Sequence, residues 1–258
     1  MPLLGLGFYD MYGKEAEKAV TEAIQKGYRL IDTAALYRNE KEIGNAVRQS
    51  GIRRSDLFIT TKVGNPDQGY DRTLKAFEES LHKLNCDYIN LYLVHWPIKR
   101  KRKDTWRALE YLYASKQVRA IGVANYLLPF LHELESYASI IPAVNQMEFS
   151  PYLYLKDVLD YCREKGIQLQ SYTPLLRGQK FSDQRLLQLA NKYGKTPAQI
   201  LLRWNLEHEV STIPKSSNSK RLKENFDVFD FSLTPEDVQY MDSFHENFRI
   251  VEDPMDMW

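Results

Sequence analysis

Short apolar segments alternate along this chain with segments whose apolar residues recur at helical spacing. The predicted strands are residues 4–9, 28–32, 57–62, 88–95, 118–123, 143–148, 168–172 and 210–214. The predicted helices are residues 15–26, 40–50, 72–84, 105–114, 129–137, 156–165, 183–193 and 197–207, with 219–226 and 235–244 after the last strand. This regular alternation predicts a parallel sheet with helical crossovers.

The strand number and the chain length favour a closed (β/α)8 barrel (TIM barrel) of the α/β class. The chain has 258 residues, close to the size of one such barrel. We predict a single domain over residues 1–258, because no Ser/Gly-rich linker divides the chain. An open doubly wound sheet is the alternative. Its nucleotide-binding fingerprint is incomplete, because Asp10 stands where a third glycine should follow Gly5 and Gly7.

Polar residues close three successive predicted strands. Asp32 and Tyr37 lie in GYRLIDTAALY (27–37), Lys62 ends LFITTK (57–62), and His95 ends YINLYLVH (88–95). Each has an ordinary structural explanation on its own, such as a turn cap, a packed ring or a core histidine. Together they fit a barrel active site, which lies where the strands end. A lysine that ends an apolar strand also needs a partner, and we expect Asp32 to be that partner.

The composition argues against nucleic-acid and membrane partners. Lys and Arg total 35 and Asp and Glu total 34, a formal net charge of +1. Cys86 and Cys162 are far apart in sequence, which predicts no metal site and fits a reducing compartment. The first residues lack a signal-peptide pattern, and no apolar run reaches the roughly 18 residues of a membrane helix. We therefore expect a cytoplasmic protein.

Three segments in order resemble the signatures of the aldo-keto reductases. They are GYRLIDTAALY (27–37), residues 71–96, and IPKSSNSKRLKEN (213–225). The resemblance extends over nearly the whole chain. It implies that the protein uses NADPH to reduce small aldehydes or ketones.

The resemblance implies a catalytic tetrad of Asp32, Tyr37, Lys62 and His95. Tyr37 would be the general acid in reduction and the base in oxidation. A phenol has an ordinary pKa near 10, and the ammonium of Lys62, held by Asp32, would lower it. His95 would orient and polarise the carbonyl.

The resemblance also implies positions for the cofactor. The nicotinamide would contact three residues: its carboxamide would be held by Asn125 and Gln146, and its ring would stack on Tyr172. The adenosine end would contact four residues: the 2′-phosphate would be clamped by Lys215, Ser216 and Arg221, and the adenine would lie near Asn225. Cations at this end favour NADPH over NADH. The substrate would contact Tyr9 and Trp96.

The chain departs from the family pattern in several places. The short N-terminal hairpin that usually plugs the barrel is missing before residue 1, and the tail at 250–258 is short. Ala124 replaces the usual serine before the carboxamide-binding asparagine. Phe8 and Tyr9 stand where Thr-Trp is common, and Gly64 where tryptophan is common. We expect these last changes to lie in the substrate pocket and to open it.

Our hypothesis is a monomeric NADPH-dependent aldo-keto reductase with a small carbonyl substrate. One alternative is a non-catalytic regulatory barrel subunit that binds NADPH, as potassium-channel β-subunits of this family do. Another is a different barrel enzyme, such as a phosphosugar isomerase. The basic run at 99–103 is expected to be a solvated loop. A nucleic-acid or nuclear-localisation patch, or a loop that attracts anionic ligands, is the alternative for that run.

Overall fold

Eight parallel strands form one sheet in the computed structural model, which describes residues 1–257. In chain order they are β1 Leu6–Gly7, β2 Leu30–Asp32, β3 Phe58–Val63, β4 Ile89–Val94, β5 Val118–Ala124, β6 Val144–Glu148, β7 Gln168–Tyr172 and β8 Ser211–Ile213. Each strand pairs in parallel with the next strand along the chain. All eight predicted strands are confirmed, with ends displaced by at most two residues.

Hydrogen bonds between the first and last strands close the sheet. The N–H of Gly5 donates to the carbonyl of Thr212 at 2.9 Å, and the N–H of Gly7 donates to Pro214 at 3.1 Å. The N–H of Thr212 in turn donates to the carbonyl of Leu3 at 2.7 Å. The predicted barrel is therefore confirmed, and the open sheet is excluded.

Ten α-helices occur in the described chain, and the first eight lie between consecutive strands, two of them before β8. They are α1 Gly13–Gln25, α2 Glu40–Gln49, α3 Tyr70–Leu84, α4 Arg102–Ala114, α5 Leu128–Glu135, α6 Lys156–Glu164, α7 Gln184–Tyr193, α8 Pro197–Glu207, α9 Ser219–Phe226 and α10 Pro235–Asp242. Asp183 and Thr234 begin α7 and α10, and their side chains accept backbone N–H groups of the first turn. None of the described helices is both long and apolar enough to cross a membrane.

Alternate residues of a strand face the helices or the inside of the barrel. Tyr92 of β4 packs edge-on against Phe77 of α3, with ring centroids 5.2 Å apart, so its neighbours Leu91 and Leu93 face inward. These two leucines belong to a small separate apolar cluster. The larger core lies between the strands and the helices. The inside of the barrel is thus filled by side chains, and the open space lies at its end.

The basic run at 99–103 is only partly the solvated loop that was expected. Lys99, Arg100 and Lys103 are exposed. Arg102 instead begins α4, is buried, and lies 2.6 Å from the carboxylate of Glu133. The expectation is wrong for Arg102 because the partner that buries it comes from α5, a later helix. None of these five residues lines the cavity described below.

Candidate active site

One cavity of about 870 Å³ opens at the end of the barrel where the strands terminate. Its lining includes twelve of the thirteen residues predicted for catalysis and binding: Tyr9, Asp32, Tyr37, His95, Trp96, Asn125, Gln146, Tyr172, Lys215, Ser216, Arg221 and Asn225. The thirteenth, Lys62, lies directly behind Asp32. The parallel register explains this convergence, because it brings the ends of all eight strands to one face.

Asp32 and Lys62 form a buried ion pair at the bottom of the cavity. The Nζ atom of Lys62 lies 2.6 Å from Oδ1 of Asp32 and also donates to the carbonyl of Thr33 at 2.9 Å. The side-chain amide of Gln146 donates to Oδ2 of Asp32 at 2.7 Å. Burial raises the pKa of Asp32 and lowers the pKa of Lys62, and each group opposes this shift in the other. The expected pairing is thus present.

Tyr37 ends a short helical turn, Ala35–Tyr37, that follows β2. Its ring centroid lies 5.1 Å from Nζ of Lys62 and 5.5 Å from the ring centroid of His95. We expected Lys62 to lower the pKa of Tyr37, and this expectation is wrong. Burial raises the pKa of Tyr37 well above its usual value, and the Asp32 carboxylate adds to the rise. The sequence could not reveal this rise, because its largest cause is the burial of the phenol in the folded protein.

His95 directly follows β4 and is buried, with 6% of its surface exposed. Its Nδ1 atom has no hydrogen-bond partner among the described residues. Burial lowers the pKa of His95 well below its usual value, and the charge of Lys62 adds to this effect. The imidazole is therefore neutral at pH 7, so one ring nitrogen can donate a hydrogen bond while the other accepts.

The two predicted carboxamide-binding residues are hydrogen-bonded to other parts of the site. The amide of Asn125 donates to the carbonyl of His95 at 2.9 Å, and its oxygen accepts from the hydroxyl of Tyr172 at 2.6 Å. Gln146 donates to Asp32 and to Oε1 of Gln170, each at 2.7 Å. A ligand amide would have to exchange some of these bonds. Gln170 was missed, although it lies on the same face of β7 as Tyr172.

The far end of the cavity carries the predicted phosphate-binding cations. Lys215 and Arg221 are exposed side chains that line it, and Ser216 lies beside them. Asn218 begins α9 by accepting the N–H groups of Lys220 and Arg221 at 3.0 and 3.1 Å. Cations at the start of a helix form a favourable site for a phosphate.

Lys215 has a partner that was not foreseen. Its Nζ atom donates to the carbonyl of Asp10 at 2.9 Å and lies 3.7 Å from the Asp10 carboxylate. The loop after β1 thus contacts the loop after β8, its neighbour in the closed sheet. Asn225, predicted near the adenine, is a buried residue of α9 that lines the same end.

The predicted substrate contacts Tyr9 and Trp96 both line the cavity. The ring centroid of Tyr9 lies 5.3 Å from that of Tyr37, and 54% of Tyr9 is exposed. Phe8 is not among the lining residues, so its predicted place in the pocket is wrong. Gly64 is not among them either, and the predicted opening of the pocket at this position stays a prediction. Phe8 is instead fully buried in the core, because it faces the opposite way to Tyr9. Lining residues that were missed include Leu36, Arg177 and residues 250–252.

These residues fit a nicotinamide dinucleotide that bears a phosphate. The buried Nδ1 of His95 has no hydrogen-bond partner among the described residues, and the cavity is lined both by the polar amides of Asn125 and Gln146 and by the cations Lys215 and Arg221. A small carbonyl compound near Tyr37 would have a protonated phenol hydroxyl and a neutral imidazole beside it. Among residues 1–257, no cluster of three or more His, Cys, Asp or Glu side chains could hold a metal ion.

Comparisons with known proteins agree with this geometry. The family model described as "Aldo/keto reductase family" matches residues 4–246. The chain is 50% identical to a glyoxal reductase of Bacillus subtilis, over 98% of this chain and 92% of the relative.

Two solved structures are also similar. One is MGS-M4, an aldo-keto reductase from a Medee basin deep-sea metagenome library, with a TM-score of 0.95, 43% identity and coverage of 98% and 94% of the two chains. The other is a Bombyx mori aldo-keto reductase in complex with NADP, with a TM-score of 0.92, 34% identity and coverage of 98% and 92%.

Proposed function

The chain belongs to the aldo/keto reductase family of oxidoreductases, and from this premise we propose that it reduces aldehydes or ketones to alcohols with NADPH. The observation that carries the proposal is that one cavity is lined both by Tyr37 and His95 and by Lys215 and Arg221. One extended ligand in this cavity would contact both the reacting groups and the phosphate-binding residues.

The roles of the site residues follow from their chemistry. The cofactor, when bound, supplies the hydride. Tyr37 has a raised pKa, so its hydroxyl keeps its proton at neutral pH and can donate it to the carbonyl oxygen. Lys62, 5.1 Å from the Tyr37 ring, then stabilises the phenolate. Asp32 holds Lys62 in place, and neutral His95 orients the carbonyl through a hydrogen bond.

The remaining polar residues would bind the two ends of the cofactor. Asn125, Gln146 and Tyr172 lie beside the reacting groups and would receive the nicotinamide. Lys215, Ser216 and Arg221 would hold the 2′-phosphate, with Asn225 near the adenine. Because all these residues come from one chain, we propose that the monomer is the active form.

A substrate panel tests the proposal. Purified protein is incubated with methylglyoxal, an aromatic aldehyde or a ketone, and with either NADPH or NADH, and cofactor oxidation is followed by absorbance. A small dicarbonyl is included because a relative is a glyoxal reductase. We expect turnover with NADPH and much less with NADH. Tight NADPH binding without turnover of any carbonyl would instead indicate the regulatory subunit.

A further inference from the structure

Glu148 is a buried carboxylate for which the proposed chemistry has no role. It is the last residue of β6, where it pairs with Tyr172 of β7, and only 3% of its surface is exposed. A buried carboxylate needs hydrogen-bond donors or charged partners, because an isolated one is costly. Its partners therefore indicate what it does.

Both oxygens of Glu148 accept backbone N–H groups from the C-terminal tail. Oε1 accepts from Ile250 at 2.6 Å, and Oε2 accepts from Val251 at 3.1 Å. These two residues and the next, Glu252, line the cavity. One side chain thus fixes the position of a segment that forms part of the cavity wall.

Other contacts hold the tail just before this point. The N–H groups of Glu246 and Phe248 both donate to the carbonyl of Tyr152, at 3.2 and 3.0 Å. Lys180 pairs with Glu246 and lies 4.2 Å from the ring centroid of Phe248. These contacts lead the tail to the cavity, where Glu148 accepts the N–H groups of Ile250 and Val251 and Ile250 also packs against the core.

We propose that Glu148 is a positioning residue for substrate specificity, which acts by holding Ile250 and Val251 as a wall of the substrate pocket. It does not touch the reacting atoms. A wall held in place favours carbonyl compounds large enough to pack against it, whereas a very small substrate bound beside Tyr37 does not reach it. The substrate effect rests on the proposed function, but the hold on the tail does not.

Two variants of Glu148 separate its hold on the tail from the effect of that hold on substrate specificity. Glu148→Gln keeps the size of the side chain but replaces one acceptor oxygen with a donor, and Glu148→Met removes both acceptors. Glu78→Gln, at an exposed position of α3, is the matched control. Backbone amide exchange is measured at residues 250 and 251 without substrate or cofactor. We expect exchange there to accelerate on the order of tenfold in Glu148→Gln, and more in Glu148→Met.

Steady-state kinetics give the second measurement. For para-nitrobenzaldehyde we expect KM to rise by about fivefold or more and kcat to change little. For methylglyoxal we expect KM to change by less than about twofold. The Kd of NADPH should stay unchanged.

Each unfavourable result has a distinct meaning. Unchanged amide exchange in Glu148→Gln would show that Glu148 does not hold the tail. Faster exchange with an unchanged KM for both aldehydes, or an equal rise in both, would overturn the role in specificity. If wild-type protein reduces neither aldehyde, the proposed function fails, and the exchange result still decides whether Glu148 holds the tail.

Discussion

The Nζ atom of Lys62 lies 2.6 Å from Oδ1 of Asp32, and neither side chain has appreciable contact with solvent. The two charges come from the neighbouring strands β2 and β3, and burial of Tyr37 together with the Asp32 carboxylate raises the pKa of the phenol. The phenol is consequently not turned into a phenolate in advance. The phenol remains a proton donor, and the charge of Lys62 stabilises the phenolate that forms as the proton leaves.

Removing the Tyr37 hydroxyl should abolish reduction. We expect Tyr37→Phe to lower kcat by about 10²–10⁴-fold or more, because a general acid acts in the transition state. NADPH affinity, measured by fluorescence quenching, should be nearly unchanged. Tyr12→Phe, at an exposed tyrosine outside the cavity, is the control. Retention of more than about a tenth of wild-type kcat would refute the role, because such a loss is smaller than general acid catalysis contributes.

Changes to the ion pair should differ in severity. We expect Lys62→Met to be as damaging as Tyr37→Phe, because it removes the group that stabilises the phenolate. Asp32→Asn should be milder, since an amide oxygen still accepts from Lys62. The pH–rate profile of Lys62→Met checks the mechanism: its apparent pKa for the tyrosine step should rise. An unchanged apparent pKa would mean that Lys62 has another function.

Arg221 should distinguish the two nicotinamide cofactors. We expect Arg221→Ala to weaken NADPH binding by about 1.5–3 kcal/mol, or roughly 10- to 150-fold, through loss of a charge-assisted contact. NADH affinity should barely change, because NADH has no 2′-phosphate. Lys223→Ala, at an exposed cation of the same helix that does not line the cavity, is the matched control. Equal losses for both cofactors would indicate a structural role.

His95 should make the folded protein less stable in mild acid. Its pKa is lowered by burial, so below the ordinary value near 6.5 the unfolded chain binds a proton that the folded protein does not. Stability is therefore lost as the pH falls through that value. Between pH 7.5 and 5.5 we expect His95 alone to contribute a loss of about 1.4 kcal/mol. Urea unfolding of wild type and of His95→Gln at pH 7.5 and pH 5.5 measures this loss of stability. An equal pH dependence in the two proteins would contradict the prediction.

The sequence was sufficient for properties that depend on local pattern and parallel register. Strand ends such as Asp32 and His95 must meet at one face of a barrel, so their convergence could be predicted. Properties that depend on contacts between residues distant in sequence could not be predicted. Arg102 was expected in solvent, because its partner Glu133 belongs to the next helix and no residue near Arg102 in sequence indicates the contact. The contact between Glu148 and Ile250 joins a strand to the tail and has no local signal.

The hydrogen bond between Gly5 and Thr212 also constrains how the chain can fold. Contacts this distant in sequence are formed at a large entropic cost, which slows folding. On the ribosome, β1 emerges early and keeps an unpaired edge until β8 has left the exit tunnel. Strand β8, which pairs with this edge, is also followed closely by Lys215. A nascent chain released before residue 211 would thus combine an aggregation-prone open sheet with an incomplete binding site.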